Sequence, residues 1–350
     1  MIKEYEYFDS EKLQKSVSDL SQKAGIPANF TLKPIAGGRN NRVFLICYND
    51  DKKLLLKAYF EHPNDSRNRV KAEYSFLNFA WNKVKCVPKP IAADFQNKIA
   101  LYEFIEGRKL SVKDIKENRV KEASDFYIEI NKYKNAEEAK NLPVASEACF
   151  SIKEHIGAVN RRIGRLKKID GNSESNLRAI SFINNELLAE WNKTTGHLNK
   201  FIDKFNINPN EKISKDETCI SPSDFGYHNA ILNNSNKLIF IDFEYAGCDD
   251  PAKMACDFFC QPEVPVPFRY FDSFIEAVAG RTANPEKLKQ KIDILLPLYK
   301  IKWCCILLNE FLEMGSERRN FAYATDDYEK EKIKQLEKAR KYLESIEFKS

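Results

Sequence analysis

Apolar positions recur along this chain with two different periods. Over residues 9–24 (DSEKLQKSVSDLSQKA) the spacing predicts a helix, with Asp9 or Ser10 placed to cap its start and Gly25 and Pro27 to stop it. From residue 30 the character changes. The runs 30–35, 43–48 and 54–60 read as strands, linked by Gly37-Gly38-Arg39-Asn40-Asn41 and by Asn49-Asp50-Asp51. Short strands joined by turn-rich links predict an antiparallel sheet. Residues 67–83 return to a helical period, Pro88 and Pro90 end it, and 91–94 and 99–104 predict two more strands. The expectation is an N-terminal helix in 1–28, then a first lobe over 29–105 built from five strands and one helix.

From Glu106 onward the pattern is helical, so 106–350 reads as a second, larger lobe. Segments 151–169 and 176–206, separated by DGNSES, predict a helical hairpin. Its second arm carries Leu177, Ile180, Leu187, Trp191, Leu198 and Ile202 on a broad apolar face. Such a face needs cover, from its own lobe or from a second copy of the chain in a homodimer across 151–206. Further helices are predicted at about 251–260, 267–279, 285–311 and 328–347.

With 350 residues the chain has room for about two domains, at roughly 100–200 residues each. Its 43% apolar and 12% aromatic content suffices for a real core. A net charge of +5, well mixed along the chain, gives no basic stripe for nucleic acid. The opening MIKEYEYFDSEKL lacks the apolar segment of a secretory signal. The most apolar region, 292–308, is interrupted by Asp293, Pro297, Lys300 and Lys302, which predicts a buried helix rather than a membrane span. Nine scattered cysteines without a CxxC pair, and only four histidines, form no zinc pattern. Reduced thiols in the cytoplasm are the expectation, with neither nucleic acid nor membrane as partner.

Candidate chemistry concentrates in 219–251, CISPSDFGYHNAILNNSNKLIFIDFEYAGCDDP. Asp224 is followed five positions on by Asn229. A short apolar run then ends in Asp242, with Phe243 and Glu244 behind it. Two carboxylates and an amide at the ends of strand-like segments can hold a divalent ion and orient a hydroxyl towards a phosphate. Taken singly, each element has an ordinary structural reading. Gly-Gly-Arg-Asn is a common turn, Lys57 on a strand and Glu73 on a helix are common surface charges, and Asp250-Pro251 is a helix cap with Pro at the first position. Their order along the chain carries the information.

That order is a glycine turn between strands, Lys57 on the third strand, Glu73 in the next helix, then Asp224, Asn229 and Asp242. It resembles the aminoglycoside phosphotransferase and choline kinase family over roughly residues 29–312. The resemblance implies an α+β, bilobal protein-kinase-like fold. It implies Asp224 as the catalytic aspartate, and Asn229 and Asp242 as ligands of Mg²⁺. Lys57 then contacts the nucleotide phosphates and is held by Glu73. Gly37, Gly38, Arg39 and Asn40 belong to the phosphate-covering loop, and the link 101–105, with Glu103 and Ile105, offers its backbone to the base. ATP is the implied cofactor, with GTP left open. Asp257 falls where the family carries a helix aspartate that supports the catalytic loop. His228 is either a cation that touches the transferring phosphate or a packing residue.

The chain departs from the family in three places. Pro222-Ser223 stands before Asp224 where His-Gly is frequent, Gly226 replaces a lysine, and Glu244 replaces the glycine of the protein-kinase Asp-Phe-Gly. The last argues against a mobile activation switch and against protein substrates. The expected activity is transfer of the γ-phosphate to a hydroxyl of a small polar metabolite: a sugar, an amino alcohol or an aminoglycoside-like molecule. Glu310, Glu313, Glu317, Asp326 and Asp327 are candidate acidic walls for it. The rivals are a catalytically weak or inactive nucleotide-binding regulatory module and a helical scaffold.

Overall fold

The computed structural model describes residues 11–27, 29–35, 40–48, 52–63, 65–322 and 328–347. Strands β1 (Phe30–Pro34), β2 (Arg42–Tyr48), β3 (Lys53–Ala58), β4 (Pro90–Asp94) and β5 (Ile99–Glu103) form one sheet in the order β1-β2-β3-β5-β4. All neighbours are antiparallel, as the turn-rich links predict. Side chains alternate faces along a strand. Leu54, Leu56 and Ala58 of β3 therefore share a core with Leu13, Val17 and Leu20 of helix α1 (Glu11–Lys23). Leu55 and Lys57 have the opposite parity and pair with Tyr102 and Ala100 of β5. Helix α2 (Arg69–Trp81) starts at Asn68, whose side chain accepts from the Lys71 N–H at 3.1 Å. Its buried stripe runs Val70, Glu73, Phe76, Leu77, Ala80, so Glu73 occupies a core position of an otherwise apolar face.

The described residues fall into two compact units. The first draws on Met1–Arg108, Ile231–Glu244 and Glu317–Thr325, the second on Lys109–Ala230, Tyr245–Ser316 and Asp326–Ser350. Residues 231–244 thus group with the sheet, although they lie within the stretch 106–350 taken above as one helical lobe. They contain most of β8 (Ala230–Asn233) and all of β9 (Leu238–Phe240), which join β6 (Gly107–Lys109) in a three-stranded sheet. The turn between β8 and β9 is the Asn-rich one seen in the sequence: Asn233 Oδ1 accepts from the N–H groups of Ser235 at 3.1 Å and Lys237 at 2.9 Å. Phe240 N–H donates to Cys86 O at 2.8 Å and fastens this hairpin within its unit.

The second unit is helical around α9 (Pro285–Leu307), against which α4 (Ile152–Leu166), α6 (Leu188–Lys204), α7 (Pro251–Cys260), α8 (Phe271–Ala279) and α11 (Tyr328–Glu344) all pack. The second arm of the predicted hairpin is α5 (Glu174–Phe182) running through one π turn, Ile183–Leu187, into α6. Ile152, Leu198 and Ile202 form a cluster with Ile156, Ile207 and Ile294. α9 of its own unit thus covers part of the apolar face of the hairpin, through Ile294, while Leu177 stays exposed. Helix α10 (Glu313–Ala322) is not anticipated by the sequence pattern. All nine cysteines are free thiols. Among the described residues no helix is long and apolar enough to cross a membrane.

Asp250 is the cap that the Asp-Pro pair predicts. Its Oδ1 accepts from Ala252 N–H at 2.8 Å, and Pro251 opens α7. Its other oxygen meets His155 Nε2 at 3.0 Å and the ammonium of Lys291, while His155 Nδ1 meets the Tyr299 hydroxyl at 2.7 Å. Burial alone would raise this carboxyl, but His155 and Lys291 hold it at about 2, below its ordinary 3.8. A depressed folded-state value contributes stability that is present above pH 3.8 and lost as pH falls through 2. The contribution is about 2 kcal/mol. We expect the Tm of Asp250→Asn to lie below that of the parent at pH 7 and the two curves to converge between about pH 4 and 2. Circular-dichroism melts across that range check this; parallel curves would contradict it.

Candidate active site

In the first unit the site is built on the sheet face that carries Lys57. The Lys57 ammonium is 7% exposed, donates to Glu73 Oε2 at 2.6 Å and pairs with Asp242 Oδ1. Glu73 is further held by the Tyr59 hydroxyl at 2.8 Å and by Phe243 N–H at 3.2 Å, and Tyr59 in turn meets Tyr102 at 2.6 Å between hydroxyl oxygens. A buried carboxylate with this many donors is fixed in one orientation. Asp242 sits at φ +68°, in the left-handed region that Asp tolerates better than most residues. The ring of Phe243 stacks on Phe76 with centroids 4.5 Å apart. Glu244, 2% exposed, accepts from Asn40 Nδ2 at 3.0 Å and from Asn41 Nδ2 at 2.7 Å. Asn41 Oδ1 accepts from Phe60 N–H at 3.1 Å. The glutamate at the glycine position of the protein-kinase motif thus ties the end of the glycine loop to the segment behind Asp242.

Burial pushes the Lys57 ammonium down, but the carboxylates of Asp242, Glu73 and Glu244 outweigh it and hold Lys57 well above its usual range. Burial pushes Glu73 up to about 7 against the pull of Lys57, with Asp242 and Glu244 adding to the rise. Lys57 therefore stays charged, and the surplus of negative charge is felt at Glu73, the deeply buried carboxyl. Such a surplus is where a divalent cation gains most. Asp242 is about a third exposed (32%) and is the member of this group open to an incoming ion. Of the base-contacting link, Glu103 Oε2 accepts from Lys89 N–H at 3.0 Å, and Phe104 and Ile105 follow outside any strand. Gly37, Gly38 and Arg39 lie outside the described residues, so only Asn40 of that predicted loop is placed.

In the second unit β7 (Cys219–Ser221) pairs antiparallel with β10 (Gly247–Asp249) and delivers the chain into the loop at Asp224. Asn131, at the end of α3 (Glu117–Asn131), clamps Ile220 on both sides, accepting its N–H at 2.8 Å and donating to its carbonyl at 3.0 Å. Ser223 holds φ +66°, a strained conformation for a serine, and its N–H donates to Ser221 Oγ at 3.0 Å. Phe225 stacks on Phe258 at 5.0 Å and Tyr227 meets the same ring at 5.5 Å, so the two aromatics anchor the loop from within. The polar residues Asp224, His228 and Asn229 are left half-exposed.

Asp224 Oδ1 meets His228 Nε2 at 3.2 Å, and its Oδ2 accepts from Asn229 Nδ2 at 3.2 Å. The same Nδ2 donates to the Asp224 carbonyl at 3.0 Å. Burial would raise the Asp224 carboxyl, yet His228, Asn229 and more distant Lys302 bring it below its ordinary value, so it is ionised at neutral pH. With its amide nitrogen so committed, Asn229 presents the carbonyl oxygen, the atom a hard cation takes. Among the described residues no group of three or more His, Cys, Asp or Glu side chains forms a metal cage. Asp242 and Asn229 each offer a single oxygen of the kind a hard cation takes.

Lys57, Glu73 and Asp242 are thus brought together in one unit, and Asp224 and Asn229 in the other. Asp257 departs from expectation. It accepts both 2.8 Å bonds from Lys302 Nζ and the Trp303 indole N–H at 3.0 Å, and makes no hydrogen bond to residues 222–229. Its link to the loop runs through Trp303, whose ring lies edge-on to His228 at 6.3 Å. Of the acidic-wall candidates, Glu310 is buried, Glu317 pairs with His62 at 3.1 Å, and Asp326 and Asp327 lie outside the described residues. Not foreseen from the sequence are the bonds of Tyr59 to Glu73, of Tyr102 to Tyr59 and of Asn41 to Glu244. Tyr59 shares the parity of Lys57 and was legible on that ground. Asn41 meets Glu244 across 203 positions, with no local signal.

A family model for choline/ethanolamine kinases matches residues 32–269. No curated protein matches the chain. Among solved structures, choline kinase from Cryptosporidium parvum superposes with a TM-score of 0.55 at 16% identity, over 94% of this chain and 96% of that one. Choline kinase LicA from Streptococcus pneumoniae gives 0.55 at 16% identity, over 95% and 99%. Spectinomycin phosphotransferase, solved with ADP and spectinomycin, gives 0.59 at 13% identity, over 93% and 98%. Likeness at these identities speaks for a shared fold, the α+β protein-kinase-like one.

Proposed function

The chain belongs to the choline/ethanolamine kinase family, a small-molecule kinase with an alcohol group as acceptor, and from that premise we propose that it transfers the γ-phosphate of ATP, with Mg²⁺, to the hydroxyl of an amino alcohol. The observation that carries this reading is Lys57 held between Glu73 and Asp242. Phosphoryl transfer asks a protein mainly for positioning and charge neutralisation. Lys57, oriented by Glu73, takes the nucleotide phosphates. Asp242 in the first unit and the carbonyl oxygen of Asn229 in the second are the oxygens that would serve as ligands for the ion, which would offset phosphate charge. Asp224, ionised, accepts a hydrogen bond from the acceptor hydroxyl and aims it. The nine free thiols favour a reducing compartment, and we place the protein in the cytoplasm.

The test is acceptor-dependent ADP release from Mg-ATP with choline and ethanolamine, and with sugars and aminoglycosides as the comparison set. Turnover on an amino alcohol supports the reading. Turnover only on a sugar or an aminoglycoside moves the acceptor class and keeps the chemistry. Mg-ATP binding without turnover on any acceptor would leave a nucleotide-binding module. Asp242→Asn removes a charge-assisted contact worth about 1.5–3 kcal/mol, so it should weaken Mg-dependent nucleotide binding about ten- to a hundredfold. Calorimetric titration with and without Mg²⁺ reads this, and unchanged affinity would remove Asp242 from the metal site.

A further inference from the structure

The frequent His before the catalytic aspartate is absent here, replaced by Pro222, and the lysine expected two positions after it is Gly226. The structure shows what stands in their place. His228 Nε2 lies 3.2 Å from Asp224 Oδ1, on the side of the carboxylate opposite to Asn229, which holds Oδ2 at 3.2 Å. The imidazole reaches that position because Gly226 has no side chain. A Cβ on Gly226 would lie 2.7 Å from His228 Nδ1, 2.9 Å from Cε1 and 3.0 Å from Gln261 Cγ. Gly226 is at φ 170°, extended backbone open to any residue, so the requirement for glycine is the room taken by the ring. The ring is 16% exposed and edge-on to Trp303 at 6.3 Å.

The direction of the bond follows from its acceptor. Asp224 is an ionised acceptor, so Nε2 must carry a proton to bond it. Among the described residues the other ring nitrogen, Nδ1, has no hydrogen-bond partner. The ring is thus the donor and Asp224 the acceptor of this hydrogen bond.

We infer that His228, seated over Gly226, is the positioning residue for Asp224: by Nε2–H donation it fixes the carboxylate between itself and Asn229, so that the acceptor hydroxyl meets one carboxylate orientation. The inference rests on the role proposed for Asp224 and adds to it a second residue and the glycine that makes room for it. It also accounts for the missing lysine, since any side chain at 226 would displace the ring.

Two measurements test it. The first needs no acceptor: long-range ¹H–¹⁵N correlation of the imidazole nitrogens in ¹⁵N-labelled protein at pH 7.5, with His228→Gln for assignment. A proton on Nε2 supports the inference; an Nε2 that carries none overturns it. The second compares kcat for parent, His228→Gln, His228→Ala, Gly226→Ala and Asp224→Asn. The assay uses saturating Mg-ATP and choline or ethanolamine, or ATP hydrolysis by water where neither turns over. Glutamine can donate from a similar distance and should stay within about threefold of the parent. His228→Ala and Gly226→Ala should each lower kcat about ten- to a hundredfold, with the KM for ATP within about twofold. A general packing defect would not be rescued by glutamine, nor spare the KM. Loss of activity in Asp224→Asn with His228→Ala equal to the parent overturns the inference alone. Full activity in Asp224→Asn overturns the role of Asp224 itself.

Discussion

Asp224→Asn should lose phosphoryl transfer by about 10²–10⁴-fold, while Mg-ATP binds as tightly as to the parent. The substitution keeps the shape and the bond to His228, but replaces an acceptor-only carboxylate by an amide. In the parent, both oxygens are held, Oδ1 by His228 and Oδ2 by Asn229, and the carboxyl lies below its ordinary value because these donors outweigh its burial. An asparagine can keep one of those contacts and must turn its NH₂ towards the other donor. The expected signature is therefore a fall in kcat without a rise in the KM for nucleotide. Equal transfer by the variant and the parent would remove Asp224 from the reaction.

The second large effect is expected at Lys57. Lys57→Met leaves Glu73, 4% exposed, facing Asp242 and Glu244 without the ammonium that now lies among them. Breaking a buried pair from one side costs about 3–5 kcal/mol, because the remaining charge keeps its desolvation penalty. The sign of the pH dependence follows from Glu73. Its folded-state value is raised from 4.5 to about 7, so its contribution is most favourable below pH 4.5 and is lost as pH rises through 7. Removing Lys57 raises that carboxyl further. The stability deficit of the variant should accordingly be smaller at pH 6 than at pH 8, since a protonated Glu73 needs no cation. Urea unfolding at the two pH values measures this, and a deficit independent of pH would contradict the coupling. Transfer should fall about 10²–10³-fold, the usual loss for one donor to a charged transition state.

The parts legible in the sequence are those fixed by local periodicity. β3 and α2 follow from the patterns around 54–60 and 67–83, and they bring Lys57 and Glu73 to within hydrogen-bonding distance. The Asn-rich turn at 233–236 and the Asp250-Pro251 cap are likewise local, and both form as read. What escaped the sequence depends on contacts between distant positions. Glu244 meets Asn40 across 204 residues, and its identity alone shows only that it is not glycine. Asp257 was assigned to the loop by its position in the order of motifs, whereas packing gives it to Lys302 and Trp303. Gly226 looked like a loss of positive charge and is better understood as room for a ring. α10 carries too weak an apolar stripe to be seen, yet Phe321 in it packs on Phe60 at 5.4 Å, and its carbonyl accepts from Arg42 Nε at 2.6 Å.

The short run Asp242-Phe243-Glu244 is fastened at every residue: to Lys57, to Glu73 and Phe76, and to Asn40 and Asn41. Turning it outward would cost Glu244 both asparagine donors and Glu73 the Phe243 N–H, so an outward posture of this tripeptide is expensive. For inhibitor design the same fact is a constraint: compounds that work by wedging this tripeptide open will find nothing to lean on. Selectivity is better sought at the surface where the alcohol binds.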